Sequence, residues 1–188
     1  MKFCNQCAAP VILRVPPGDN LPRHVCETCG VIHYQNPKIV AGCIPEWGDE
    51  LLLCRRAIEP RIGLWTLPAG FMENGETIQQ AAMREATEEA NATVENVRLF
   101  AVYNLPHISQ VYVKFRGGLK DGSASPGPES SEVMLVREER IPWDDLAFPV
   151  ITETLKLYFA DRAAGRFEIH TGDIIRGADR SISVRRYA

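Results

Sequence analysis

Two Cys-x-x-Cys pairs, Cys4 with Cys7 and Cys26 with Cys29, stand eighteen residues apart at the start of the chain. No other feature limits the fold as strongly. Four thiolates held in two tight knuckles make a tetrahedral site for Zn2+, and a gap of about 15–20 residues between pairs is the spacing of a structural zinc site. The competing reading is two disulfides in a secreted chain, but Met1-Lys2-Phe3 runs straight into Cys4 without a signal sequence. Gly30 follows the last thiol and allows the positive φ that such a knuckle needs. A segment this short lacks the core to fold alone, so zinc supplies much of its folding energy. The sequence therefore places a zinc ribbon at 1–36, with Pro37 forcing Asn36 into extended backbone at the junction. Cys43 and Cys54 lie in apolar runs and are expected as buried small hydrophobes.

Charge narrows the class of partner. The chain of 188 residues carries −3 overall, with five Glu and one Arg between 73 and 89. The negative charge is concentrated, as in a cation site. Lys2, Arg14 and Arg23 against Asp19 and Glu27, with four thiolates and Zn2+, leave the ribbon at about −1, a poor phosphate-backbone binder. Packing or dimerisation is the expected role of the ribbon, and no nucleic-acid partner is expected. No apolar run approaches the roughly 20 residues of a membrane helix, so a soluble, cytoplasmic protein without a membrane partner is expected.

Beyond the junction, Lys38 to Glu46 and Glu50 to Arg56 read as paired strands turned at Trp47-Gly48-Asp49. Thr77 to Ala90 reads as a helix: Thr77-x-x-Gln80 is a capping box, and Asn91 suits the left-handed residue after the last turn. Val94–Asn104 and Ser109–Arg116 form a second strand pair around Pro106. Gly117–Ser131 is a loop by composition, Val133–Val136 resumes a strand, and Ile151 to Ala164 is an amphipathic helix ended by Gly165. Strands with two substantial helices predict an α/β class, an α/β/α sandwich around a mixed sheet.

The first helix carries the chemistry. Glu85, Glu88 and Glu89 fall within about 100° of arc, so three carboxylates share one face. A solvated acidic face would interleave lysines; here only Arg84 is present, positioned to pair with Glu88. Ile78, Ala81, Ala82, Ala86 and Ala90 give the opposite side a small-residue surface that seats closely on a sheet. Hard carboxylate oxygens in this array suit Mg2+ or Mn2+.

Gly70-x5-Glu76-x7-Arg84-Glu85-x2-Glu88-Glu89 resembles the box of the Nudix hydrolases, and Gly63-Leu64-Trp65-Thr66-Leu67-Pro68-Ala69 resembles the stretch before it. The departures are Asn91 in place of a glycine and Ala86 and Ala92 in place of bulky aliphatics. With the ribbon and a later Ser-Pro-Gly-Pro-Glu-Ser-Ser-Glu-Val loop, the chain is similar to a subgroup that hydrolyses FAD or ADP-ribose. The resemblance extends to about residue 170 and implies a Nudix domain at 37–170 followed by a basic tail at 171–188, with four Arg and one Asp between Arg176 and Arg186. It implies a metal-dependent pyrophosphohydrolase of a small-molecule nucleotide, FAD or ADP-ribose, working as a homodimer. The alternatives are NADH, a dinucleoside polyphosphate or a nucleotide sugar as substrate, or a non-catalytic nucleotide sensor; the intact carboxylates favour an enzyme, and the absent NADH-type motif lowers NADH.

The resemblance also assigns roles. Glu85 and Glu89, with Glu88 and the Gly70 carbonyl, are the expected ligands of Mg2+ or Mn2+, and Arg84 is expected to orient Glu76 and Glu88. Glu73 is expected to support them, and the general base is expected among Glu129 and Glu132, in or beside the Gly/Ser/Pro loop. From the residues themselves, Arg55, Arg56 and Arg61 are candidates to grip phosphates, and Tyr103, His107, Tyr112 and Phe148 to stack on a flat end group.

Overall fold

The computed structural model describes residues 1–187, which divide into two compact units, 1–37 and 38–187. In the first, β1 (Val11–Arg14), β2 (Arg23–Cys26) and β3 (Ile32–His33) form a small antiparallel sheet in that order. Its apolar interior is slight, with Cys4, Val25 and Cys26 among the few buried side chains. That matches a unit whose folding depends on a bound ion.

The second unit is built on one mixed sheet. Its strands are β4 (Lys38–Trp47), β5 (Glu50–Arg56), β6 (Trp65–Thr66), β7 (Ala69–Phe71), β8 (Val94–Leu105), β9 (Gln110–Leu119), β10 (Ser130–Val136), β11 (His170–Arg176) and β12 (Ile182–Tyr187). The order is β10-β5-β4-β9-β8-β11-β12, with β6 on β5 and β7 on β4; β4–β9 and β8–β11 are parallel and the other pairs antiparallel. Helices α1 (Ile78–Ala90) and α2 (Pro149–Ala164) each own one of two cores. The period-2 alternation of β5 shows the division: Leu51 and Leu53 pack with α2, Leu52 and Cys54 with α1. Both faces of the central strands are thus buried, as in an α/β/α sandwich.

Local chemistry sets the ends of α1. Thr77 accepts from the Gln80 backbone and Gln80 returns the bond to the Thr77 N–H, closing the capping box, while Asn91 ends the helix at φ 48°. Helix α2 starts at Pro149 and is buried on more than the single stripe its sequence suggests, with Val150, Ile151, Thr154, Leu155, Tyr158 and Phe159 all enclosed. No helix among the described residues is long and apolar enough to cross a membrane.

The sequence reading of 171–188 as a basic tail needs correcting. Residues up to 187 form β11 and β12, and β11 lies parallel to β8 inside the sheet. Three side-chain ties hold the pair: Asn104 Nδ2 donates to Asp173 at 3.1 Å, Tyr187 Oη donates to Asp173, and Arg186 Nε donates to the buried Glu153 at 2.6 Å. Two β-branched runs separated by Gly177-Ala178-Asp179 carry the hairpin signal that the arginines obscure.

Candidate functional site

The four ribbon thiols converge. Cys4 Sγ lies 3.6 Å from Cys29 Sγ and Cys7 Sγ lies 3.5 Å from Cys26 Sγ, and all four sulfurs are within 4.8 Å of one another. Tetrahedral Zn2+ with bonds of about 2.3 Å separates its sulfurs by about 3.8 Å, so the donor set fits that ion without rearrangement. The thiols are not joined as disulfides. Gly30 at φ 75° and Ala8 at φ 59° close the two knuckles, and the Gln6 N–H points at Cys4 Sγ from 3.4 Å. His33, absent from the spacing argument, sets Nε2 3.3 Å from Cys4 Sγ.

In the second unit, a cavity of about 860 Å3 opens between β7, the carboxylate-bearing side of α1, and parts of β8, β9 and β11. Glu85, Glu88, Glu89, Gly70, Arg84 and Glu73 line one side. Arg84 organises that side. It forms a bidentate pair with Glu76 at 2.9 and 3.1 Å, donates from Nη1 to Glu85 and to Glu88 at 2.7 Å each, and from Nη2 to the Phe71 carbonyl at 3.1 Å. Glu76 lies outside the cavity lining, and its carboxyl is held below the usual range, chiefly by hydrogen bonds from Arg84. Glu85 and Glu89 are 7% and 4% exposed. Burial, and then the charge of Glu85, pushes the Glu89 carboxyl up to about 7; burial also raises Glu85. Two buried, costly carboxylates facing a cavity suit a hard divalent cation, which would favour their charged forms. Gly70 is required here, since any side chain on it would overlap the Glu85 carboxylate.

The loop after β9 docks on the C-terminal end of α1. Ser125 N–H donates to Ala90 O at 2.8 Å and Gly127 N–H to Glu89 O at 2.9 Å, while Asn91 Nδ2 reaches Ser125 O, Ser125 Oγ and Pro126 O at 3.1–3.2 Å. Glu129 consequently lines the cavity, and its own carbonyl accepts from the Ala57 N–H at 2.8 Å. Glu132 does not line it: three residues on, in β10, it pairs with Arg55 at 3.3 Å, and both lie outside.

Among the aromatic and cationic candidates, Arg56, Arg61, His107, Tyr112 and Phe148 line the cavity. The Arg56 guanidinium stands 5.3 Å from the centre of the Phe148 ring and donates to the Pro60 carbonyl at 2.8 Å. Tyr103 is instead fully buried in the α2-side core, which excludes it from stacking on a ligand. Among the lining residues that the sequence reading did not single out are Lys114, fully buried on β9, and Ile174 and Ile182 on the terminal hairpin, where Arg176 and Arg180 join the lining as well. Lys114 is enclosed because β9 is central, between β4 and β8, a position that the sequence alone does not reveal.

A sandwich of this kind, with a carboxylate-bearing helix over a bare glycine, defines a class before any relative is consulted. Residues 36–160 match the model of the NUDIX domain, and residues 2–35 match the zinc-ribbon model described as Nudix N-terminal. The chain belongs to the Nudix hydrolase family. It is 59% identical to a NUDIX hydrolase from Nitrosomonas europaea of known crystal structure, over 93% of this chain and 99% of that one, with a TM-score of 0.89. It is also similar to the NAD-capped RNA hydrolase NudC of Photobacterium profundum, 28% identical over 85% of this chain and 60% of the relative. The same protein of Chromobacterium violaceum is 31% identical over 66% of this chain and 45% of the relative. The chain thus spans about half the length of these curated relatives.

Proposed function

We propose that the protein hydrolyses the diphosphate bridge of a nucleotide with a large group at each end, FAD first and ADP-ribose second, with Mg2+ or Mn2+. One observation carries the reading: a single cavity has buried carboxylates on one side and Arg56, Arg61, Arg176 and Arg180 with Tyr112 and Phe148 elsewhere on its wall. Its volume is near the upper end of the roughly 300–1,000 Å3 of ligand pockets, more than a mononucleotide needs. Arg176 and Arg180 lie beyond the residues that match the domain model, so this part of the wall is supplied by the terminal hairpin.

In this reading Glu85, Glu88, Glu89 and the Gly70 carbonyl hold the divalent ion, which when bound neutralises the diphosphate and acidifies water. Arg84, braced by Glu76, keeps Glu85 and Glu88 aimed. Glu129 takes the proton as the water oxygen bonds to one phosphorus and the bridging P–O bond breaks. Arg56 and Arg61 bind phosphate oxygens, while Tyr112 and Phe148 flank a flat end group. A homodimer remains part of the proposal and is tested by sedimentation equilibrium.

A second reading, cleavage of the NAD cap of an RNA, is supported by the similarity to NAD-capped RNA hydrolases. The ribbon's net charge of about −1 with its zinc bound opposes it. The two separate in one assay of FAD, ADP-ribose, NADH, a NAD-capped RNA oligonucleotide and ATP, each with Mg2+ or Mn2+ and products resolved by chromatography. FAD should yield FMN and AMP in equal amounts, faster than the capped oligonucleotide is opened. Consumption of ATP with FAD and ADP-ribose intact would overturn the substrate assignment.

A further inference from the structure

Lys114 lies in the middle of β9, flanked by β4 and β8. Its side chain is fully buried, and its ammonium has no hydrogen-bond partner among the described residues. Burying an ammonium without partners is costly unless a nearby field compensates it. The sheet register shows where the chain goes. Lys114 is opposite Gly42 of β4, which is opposite Ala69 of β7. A Cβ on Gly42 would stand 2.7 Å from Lys114 Nζ and would overlap Ala69. The lysine therefore lies across bare backbone, its Nζ beside the strand that carries Gly70. Ala69, Gly70, Glu85 and Glu89 line the same cavity as Lys114. Burial pulls the Lys114 ammonium down to about 8, and the nearby charges, those of Glu89 and Glu85 among them, work against that loss.

We propose that Lys114 is a positioning residue that fixes a positive charge on the protein side of the Glu85–Glu89 pair, standing in for one divalent cation and limiting how many such ions the site holds. The inference rests on the metal-site reading above. A monovalent charge embedded in a poorly polarisable interior repels a divalent ion strongly, and that repulsion ends when the charge is removed. Three carboxylates and a carbonyl otherwise offer enough oxygens for a further ion.

The test is a Mn2+ titration of the full-length, zinc-loaded protein, following free Mn2+ by electron paramagnetic resonance and heat by calorimetry. Lys114→Met, which keeps the length and apolar stem, should bind one additional Mn2+ per chain or bind the existing ion at least tenfold more tightly, with unchanged zinc content. Glu89→Gln serves as the reference. If it abolishes Mn2+ uptake while Lys114→Met leaves number and affinity unaltered, the inference alone falls. If uptake persists unchanged in Glu89→Gln, the metal-site reading falls and takes the inference with it. Should Lys114→Met fail to fold, it is repeated in the Glu89→Gln background, where less negative charge needs compensating. Folding rescued there supports the pairing of charges, and failure in both backgrounds overturns it.

Discussion

The two candidate metal sites of this chain are prepared in opposite ways. In the ribbon, four sulfurs already stand within 4.8 Å of one another on a scaffold with almost no core. On α1, among the described residues, the carboxylates do not gather that closely; they are spread over Arg84 and a buried lysine in a unit with two full hydrophobic cores. Thiols can share their protons and hold few charges before the ion arrives, so four can be collected cheaply, and the ion then holds the fold. Carboxylates are charged beforehand and repel, so a well-packed unit must hold them in place with fixed cations. One site is expected to depend on its metal for structure, the other for chemistry alone.

The comparison breaks most visibly in the ribbon. Structural zinc contributes on the order of 10 kcal/mol in small cysteine sites. Elemental analysis should find one zinc per chain in the native protein and none in Cys26→Ser, and amide-exchange protection across 1–37 should collapse in the variant while β4, β8 and β9 keep theirs. Retained protection without zinc would mean that the small apolar interior suffices, and the contrast between the units would disappear.

Glu89→Gln should act the other way, reducing turnover by about 10^2–10^4-fold with little loss of fold. Its pH behaviour sharpens the point. The Glu89 carboxyl is raised from 4.5 to about 7 by burial and by Glu85. A raised folded-state value favours folding fully below the unfolded value, and that contribution is lost as pH climbs through the folded one. The metal-free protein should therefore lose up to about 3 kcal/mol from this group between pH 4.5 and 8. Chemical unfolding of the zinc-loaded protein without Mg2+ measures it: Glu89→Gln should flatten that slope and match or exceed the native stability at pH 8. An equally steep slope in the variant would show that Glu89 does not carry the buried charge.

Much of this was legible in the sequence wherever chemistry is local. Cysteine spacing, the Thr77–Gln80 box, the left-handed Asn91 and the i, i+3, i+4 carboxylates each need only a few neighbouring residues. The misses depend on tertiary context that no local pattern carries. Tyr103 and Tyr112 look alike as candidates and pair directly across β8 and β9 on one face, yet Tyr103 is fully enclosed in the α2-side core while Tyr112, partly buried against that core, lines the cavity. Glu129 and Glu132 differ by three positions and end on different sides of the same strand entry. Lys114 looks solvent-seeking until β9 is known to be central, and the arginines of β11–β12 mask a hairpin because tertiary ties to Asn104 and Glu153 hold it.

The smallest expected effect falls on Asn91, where the chain departs from the glycine of the Nudix pattern. Glycine would supply the left-handed cap, but it has no amide to hold Ser125 and Pro126. Asn91→Gly therefore separates two duties that one residue combines. The cap is kept, so stability should change by less than about 1 kcal/mol. The loop that presents Glu129 loses its side-chain anchor, leaving the Ser125 and Gly127 amide bonds to α1 and the Ala57 bond to Glu129. Turnover should drop about tenfold, equivalent to about 1.4 kcal/mol in the barrier, with KM moving little because no phosphate contact is touched. Asn91→Ala should show the same kinetic loss and about 1 kcal/mol of added strain from a left-handed alanine. Native turnover in Asn91→Gly would reduce Asn91 to a helix cap and leave the loop's position to its backbone bonds; a raised KM instead would place the loop against the substrate's end group rather than the attacking water.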